Sequence, residues 1–313
     1  GRHALPSLHR GDDLDPVALG EGVCVPRGSA HNVVADENGA AGAIGAEGVK
    51  ERTHGRGAGK LHWFAVYGKM HWSRRARGPL RGGGERIERA YREAHGAAMT
   101  ERDDEARARY ARQVALPEIG SEGQAKLRAG RVLLVGAGGL GSAAGLYLAA
   151  AGVGVLGIVD GDRVERSNLQ RQVVFTTADI GSPKAEAAAA RLRALNPDTT
   201  VEARTERLTG ANGRALAAAY DFVIDATDNF ASKFLIADCC HAAGTPVAHG
   251  GVLGFGGQAL TVLPGRTACY RCVCDAPPPE PPGPPRGPLG VVPGLIGVVQ
   301  AGEAIKFLTG AGT

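Results

Sequence analysis

The sequence predicts an α/β fold, Rossmann-like in layout: a mainly parallel sheet with helices on both faces and an antiparallel extension. Three observations predict it. From about Arg107 onward, short apolar runs alternate with helical patterns at the spacing of βαβ units. The first such run, "RVLLV" (Arg131–Val135), leads into the glycine-rich turn "GAGGLGS". An acid, Asp160, then ends the next apolar run, 24 positions after Gly136.

The elements follow in order. "RVLLV" reads as a short buried strand, and "LGSAAGLYLAAAG" (Leu140–Gly152) as an Ala-rich helix ended by glycine. "GVLGIVD" (Gly154–Asp160) is a second strand. "PKAEAAAARLRALNP" (Pro183–Pro197) is a helix with proline at its start and again just past its end, as helix edges prefer. "TVEAR" (Thr200–Arg204) and "DFVIDATD" (Asp221–Asp228) read as strands. "FASKFLIADCCHAAG" (Phe230–Gly244) is a helix, and "PVAHG" (Pro246–Gly250) follows it. "VLGFGGQALTVLPG" (Val252–Gly265) has the pattern of the antiparallel addition, and "GLIGVVQAGEAIKFLTG" (Gly294–Gly310) that of a last helix.

The first 98 residues are unlike the rest. They carry seven of the nine His and both Trp, with no sustained apolar periodicity to define a core face. Their 15 Lys+Arg against 11 Asp+Glu account for the whole net charge of +4, because residues 99–313 balance at 21 against 21. We expect residues 1–98 to be a disordered leader or an over-extended gene model, and residues 99–313, opening at Met99, to be the working domain. A charge-balanced domain gives no nucleic-acid footprint. No run of about 18 apolar residues free of charges suggests a membrane span. The six Cys are too few for a disulfide framework, which leads us to expect a cytoplasmic location.

Gly136, Gly138 and Gly141 fit G-x-G-x-x-G between a strand and a helix, where backbone N–H groups and the helix N-terminus can meet a phosphate. Asp160 stands where an acid commonly holds a ribose hydroxyl. This much suits a dehydrogenase as well as an ATP-cleaving enzyme. The next residues discriminate. "DGDRVERSNLQRQ" (Asp160–Gln172) brings Asn168 and Arg171, "GSPK" brings Lys184 to a helix start, and "DATDN" (Asp225–Asn229) puts Asp228 beyond a strand's carboxyl end. Splitting ATP between its α- and β-phosphates requires about four charges to be neutralised by cations and magnesium. Arg171, Lys184 and a metal-holding Asp228 supply that set. Taken singly, Lys184 reads as a solvated helix residue, Arg171 as half of a surface ion pair and Asp228 as a helix cap. Cys239 and Cys240, in an apolar helix, read as core residues, and His241 and His249 need not act.

At these residues the chain resembles the ThiF/MoeB/HesA family, bacterial relatives of ubiquitin-activating enzymes. The resemblance runs from about Arg109 to Gly310. It rests on "RYARQVALPEIG", "VGAGGLGS", "SNLQRQ", "GSPK", "DATDN", "GQALTVL" and "CYRC" (Cys269–Cys272). It implies that ATP adenylates the C-terminal Gly-Gly carboxylate of a small ubiquitin-like sulfur-carrier protein in molybdopterin or thiamine biosynthesis. On that reading Gly136, Gly138, Gly139 and Gly141 form the nucleotide loop. Asp160 lies at the ribose, Asp162 is a further nucleotide-binding residue, Asn168, Arg171 and Lys184 lie at the phosphates, and Asp228 at Mg²⁺. The family's arginine that reaches into a neighbouring subunit matches Arg112, which implies a homodimer.

The chain also departs from the family pattern. Cys269 and Cys272 would be half of a structural zinc site, but no second C-x-x-C follows before Thr313, so the domain looks truncated and zinc stays open. The loop that in the family often carries a cysteine reads "DAPPPEPPGPPRGPLG" (Asp275–Gly290), with eight prolines and no cysteine. A nicotinamide-dependent oxidoreductase and a carrier-binding protein without catalysis stand as the two rival expectations.

Overall fold

The computed structural model describes residues 101–274, 276 and 287–311, with side chains from residue 108 onward. The expectation for residues 1–98 lies outside the described residues, as does most of the proline-rich loop.

Two helices open the described chain, α1 (Glu101–Val114) and α2 (Gly120–Ala129). Then come β1 (Arg131–Val135), α3 (Gly139–Ala150), β2 (Val155–Val159), α4 (Lys184–Leu195) and β3 (Thr200–Arg204). The second half runs α5 (Gly213–Ala218), β4 (Phe222–Asp225), α6 (Phe230–Ala243), β5 (Val247–Leu253), β6 (Gly256–Val262), α7 (Tyr270–Val273) and α8 (Val291–Thr309). One six-stranded sheet holds all the strands in the order β3-β2-β1-β4-β5-β6. Every pairing is parallel except β5 with β6, the antiparallel extension expected from "GFGGQALTVL".

The two-residue period of a strand sends alternate side chains to opposite faces. Val132, Leu134, Phe222 and Ile224 join one core with Leu148, Leu192, Ile296 and Leu308 of α3, α4 and α8. Leu133, Val135 and Val223 join the other with Leu216, Phe234 and Ile236 of α5 and α6. A parallel sheet covered on both faces needs such near-continuous apolar strands, and "RVLLV" is one.

The differences from expectation are local. α2, α5 and α7 were not foreseen; α5 and α7 span only six and four residues, too short to display a helical period. β4 ends at Asp225 rather than Asp228, because the Thr227 N–H and hydroxyl turn back onto Asp225 Oδ1. α8 starts three residues before Gly294 and carries Pro293 in its first turn, where an N–H would have no helical acceptor. α8 is long and apolar enough, by length and composition, to cross a membrane. Here it packs on the sheet and on α3, with Ile296, Gln300, Ala301, Ala304 and Leu308 buried.

Candidate active site

In this strand order the chain reverses direction between β1 and β4, and the crevice beyond their carboxyl ends is where such sheets gather ligands. The glycine loop leaves β1 there and the loop to α6 leaves β4 beside it. Gly136 has φ +98°, and a Cβ on it would lie 2.9 Å from Ala226 O of the neighbouring loop. Glycine therefore meets both a conformational and a steric demand at this position. A Cβ on Gly141 would drive into the Gly136 carbonyl, so the start of α3 and the loop pack backbone to backbone.

The Asp160 carboxylate shapes the loop from the next strand. It accepts the Ala137 N–H at 2.8 Å on one oxygen and the Asp162 N–H at 2.8 Å on the other. Each oxygen keeps a further lone pair for a hydroxyl. The segment carrying "SNLQRQ" folds against the same loop: a Cβ on Gly139 would stand 3.4 Å from Arg171 O, and one on Gly138 would stand 3.7 Å from Gln172 Nε2. Asn168 is buried, its carbonyl accepting the N–H groups of both Arg171 and Gln172, and its Oδ1 accepting the Glu165 N–H at 3.3 Å. The Arg171 guanidinium donates to Ser167 O at 3.2 Å, and the residue is half-buried.

Lys184 begins α4 and is only 8% exposed. A cation at a helix N-terminus is opposed by the helix dipole, and a carboxylate offsets this: Lys184 Nζ lies 3.3 Å from Asp162 Oδ2. The same carboxylate holds Arg207 at 2.9 Å. Asp162 is thus a clamp between two cations, a role that its place in the sequence did not reveal. Asp228 is exposed, and its Oδ1 accepts from Asn229 Nδ2 at 3.4 Å. The cap of α6 is Asn229, whose Oδ1 accepts the Ser232 N–H at 2.9 Å, which releases Asp228 from the capping role considered for it.

The fold therefore gathers Gly136, Gly138, Gly139, Gly141, Asp160, Asp162, Asn168, Arg171 and Lys184 around one loop, with Asp228 on the adjoining one. Arg112 is elsewhere. It is exposed near the end of α1, two residues from Tyr110, whose hydroxyl accepts from Asn196 at the far end of α4. The 12 residues of α4 rise about 18 Å between that end and Lys184.

Cys269 and Cys272 stand with their sulfurs 3.3 Å apart, beside α6 rather than at the loop. Cys274 turns away to Ala276 O at 3.1 Å. Among the described residues no group of three potential ligands forms, and the Cys269–Cys272 pair supplies two of the four that tetrahedral zinc needs. Burial pushes the Cys240 thiol well above its ordinary value, consistent with an inert core residue.

One cluster escaped the sequence reading. Asp225 closes β4 and is fully buried. Its Oδ2 receives Lys233 Nζ at 3.2 Å and His249 Nδ1 at 2.7 Å, while its Oδ1 receives Thr227 N–H at 3.0 Å and Thr227 Oγ1 at 2.6 Å. Lys233 Nζ also donates to Gly250 O, and Gln300 Nε2 donates to Asp225 O at 2.8 Å and Ala248 O at 2.8 Å. Burial acts to raise the Asp225 carboxyl, but the Lys233 charge and the His249 and Thr227 hydrogen bonds outweigh it and hold the group well below the carboxylate range. The signal available in the sequence was a lone lysine in the apolar stretch of "FASKFLIAD", which needs a buried partner.

Fold and loop together define a Rossmann-like α/β protein with a glycine-rich turn at the switch point of its sheet. Comparison with known proteins gives its family. Residues 110–313 match the model of the ThiF family, and the chain belongs to that family. It is 49% identical over 207 residues to the SAMP-activating enzyme E1 of Haloferax volcanii, covering 65% of this chain and 76% of that one. It is 46% identical over 212 residues to the sulfur carrier protein adenylyltransferase of Thermus thermophilus, covering 65% and 78%. The sulfur carrier protein ThiS adenylyltransferase of Escherichia coli is 45% identical over 207 residues, covering 66% and 82%. Among solved structures, PaaA superposes with a TM-score of 0.57 at 24% identity over 68% of this chain and 67% of that one, a likeness of fold. Family membership removes the dehydrogenase reading.

Proposed function

We propose that the chain adenylates the C-terminal Gly-Gly carboxylate of a small ubiquitin-like sulfur carrier, of the kind that serves molybdopterin or thiamine synthesis. One observation carries this reading: Asp160 is hydrogen-bonded to the glycine loop, Lys184 is paired to Asp162 beside it, and the backbones of the segments bearing Arg171 and Asp228 pack on the same loop at the sheet's switch point. Residues 99–313 would be the working unit. None of the described cysteines is in a disulfide, which suits a cytoplasmic setting.

The chemistry asks little of acid–base groups. A terminal carboxylate has a reference pKa of about 3.3–3.7 and is ionised at neutral pH. One of its oxygens attacks the α-phosphorus of ATP, the bond from that phosphorus to the α–β bridging oxygen breaks, and pyrophosphate leaves. The barrier is that an anion must approach a polyanion, which positioning and electrostatic stabilisation lower. Asp160 would take the ribose hydroxyls, and the first-turn N–H groups of α3 the phosphates. Arg171 would swing from Ser167 O, and Lys184 from Asp162, onto the triphosphate. Arg207 would keep Asp162 neutralised after Lys184 leaves it. Asp228 fits Mg²⁺, which binds through one or two carboxylates plus phosphates; when bound, the ion supplies further neutralisation of phosphate charge. Arg112 would serve the site of a second copy in a homodimer, which is consistent with its distance from its own loop.

The deciding experiment is exchange of labelled pyrophosphate into ATP, with recombinant ubiquitin-like proteins ending in Gly-Gly as acceptors. Exchange that requires the acceptor, and falls at least a hundredfold in Arg171→Ala, is expected. Acceptor binding that persists unchanged in Arg171→Ala and Asp228→Ala, with no exchange in the parent protein, would make the chain a carrier-binding protein instead.

A further inference from the structure

The buried cluster around Asp225 lies three residues from the carboxylate assigned to magnesium, and its bonding is divided between the two oxygens. Oδ2 takes the fixed partners, Lys233 from α6 and His249 from β5. Oδ1 takes only Thr227, through both its N–H and its hydroxyl. That pair of bonds is an Asx-type turn, and it sets the direction in which the chain leaves β4. Gln300 from α8 fixes the Asp225 carbonyl as well. On the other side the loop has little slack, because Ala226 O would lie 2.9 Å from a Cβ placed on Gly136. Three elements thus lock the turn, and Asp228 is the next residue out.

Resting on the adenylation reading, we infer that Asp225, Lys233, His249 and Thr227 are positioning residues for Asp228: they set the angle at which the β4 loop presents its carboxylate to the metal-bound nucleotide. A buried ion pair is an expensive way to hold two elements together, since apolar side chains of similar volume often do as well or better. What apolar groups cannot do is orient a polar turn by hydrogen bonds. Outer groups that orient a metal-ligating carboxylate typically govern metal affinity by about tenfold to a hundredfold. Lys233 extends the same restraint to Gly250 of β5, tying β4 to its neighbour through α6.

A double-mutant cycle tests this on the full chain, with unmodified ATP titrated by calorimetry in the presence and absence of Mg²⁺. Thr227→Val removes one of the two turn bonds while retaining the buried charges; Lys233→Met removes a fixed partner, and Lys233→Arg is the conservative rescue. Each of the first two should weaken Mg²⁺-dependent nucleotide binding by about tenfold and leave Mg²⁺-free binding within twofold. In an Asp228→Ala background neither should cause a further loss, because both act through the same carboxylate. Circular dichroism establishes that the variants are folded, and Thr227→Val alone suffices if Lys233→Met is not. Folded variants with parental Mg²⁺-dependent affinity, or losses that multiply with that of Asp228→Ala, would overturn the inference. Parent protein whose nucleotide binding ignores Mg²⁺ would instead overturn the adenylation reading itself.

Discussion

At the scale of single residues, two positions carry the most testable physics. The start of α3 tolerates no side chain at Gly141, since a Cβ would meet the Gly136 carbonyl. Gly141→Ala must open the glycine loop, and overpacking of this kind costs about 1–3 kcal/mol. Urea denaturation should register that loss, and titration with ATP should show weakened binding. Asp225 is the second position. Its carboxyl is held below the ordinary range in the folded chain, so the stability it contributes is present above the unfolded value of about 3.9 and is lost as pH falls through the folded value. Lys233→Met leaves a buried carboxylate short of its cation, at a cost of about 3–5 kcal/mol at pH 7. In that variant Asp225 takes up a proton more readily, so the difference from the parent protein should shrink at pH 4. Denaturation curves at the two pH values check both magnitude and sign.

At the scale of elements, helix ends do the positioning. α4 begins with a buried lysine where the helix dipole favours an anion, and Asp162 offsets the mismatch. The arrangement is poor for a free-standing helix and well suited to meeting a triphosphate. Lys184→Gln should therefore change stability by no more than about 1 kcal/mol, while ATP binding falls by roughly tenfold to a hundredfold, the worth of a charge-assisted hydrogen bond. Calorimetry can measure both on one sample. α6 is capped conventionally by Asn229, and Asn229→Ala should cost about 1 kcal/mol by loss of the bond to Ser232 N–H. Because the cap is Asn229, the Asp228 carboxylate is free of the capping role.

At the scale of the whole molecule, the question is how Arg112 could act at a loop an α4-length away. A two-fold dimer answers it if each copy lends the residue to the other. Arg112→Ala and Arg171→Ala should each be inactive alone, yet mixing and re-equilibrating them in equal amounts should restore roughly a quarter of the parental exchange activity. That is the share expected when half the dimers are mixed and each mixed dimer has one intact site. No recovery on mixing, with dimers present by light scattering, would place Arg112 outside the site.

The division between what could be read along the chain and what could not follows the range of the interactions. β1, β3, α3 and α4 were legible because a short strand-forming run bounded by turn residues, or a helix flanked by Gly and Pro, is written in adjacent residues. The glycine loop and Asp160 beside it were legible for the same reason, as residue types at fixed offsets from those elements, and the roles proposed for Arg171, Lys184 and Asp228 rest on the same offsets. The sequence by itself thus determined the layered α/β order and the glycine loop at its centre. The tertiary structure decided that Asp162 clamps Lys184 against Arg207, and that Asn229 rather than Asp228 caps α6. It also decided that Asp225 is tied at once to α6, β5 and α8. Those partners lie 8, 24 and 75 positions from Asp225. Their union depends on strand order and on which sheet face each helix covers, and no local pattern encodes either.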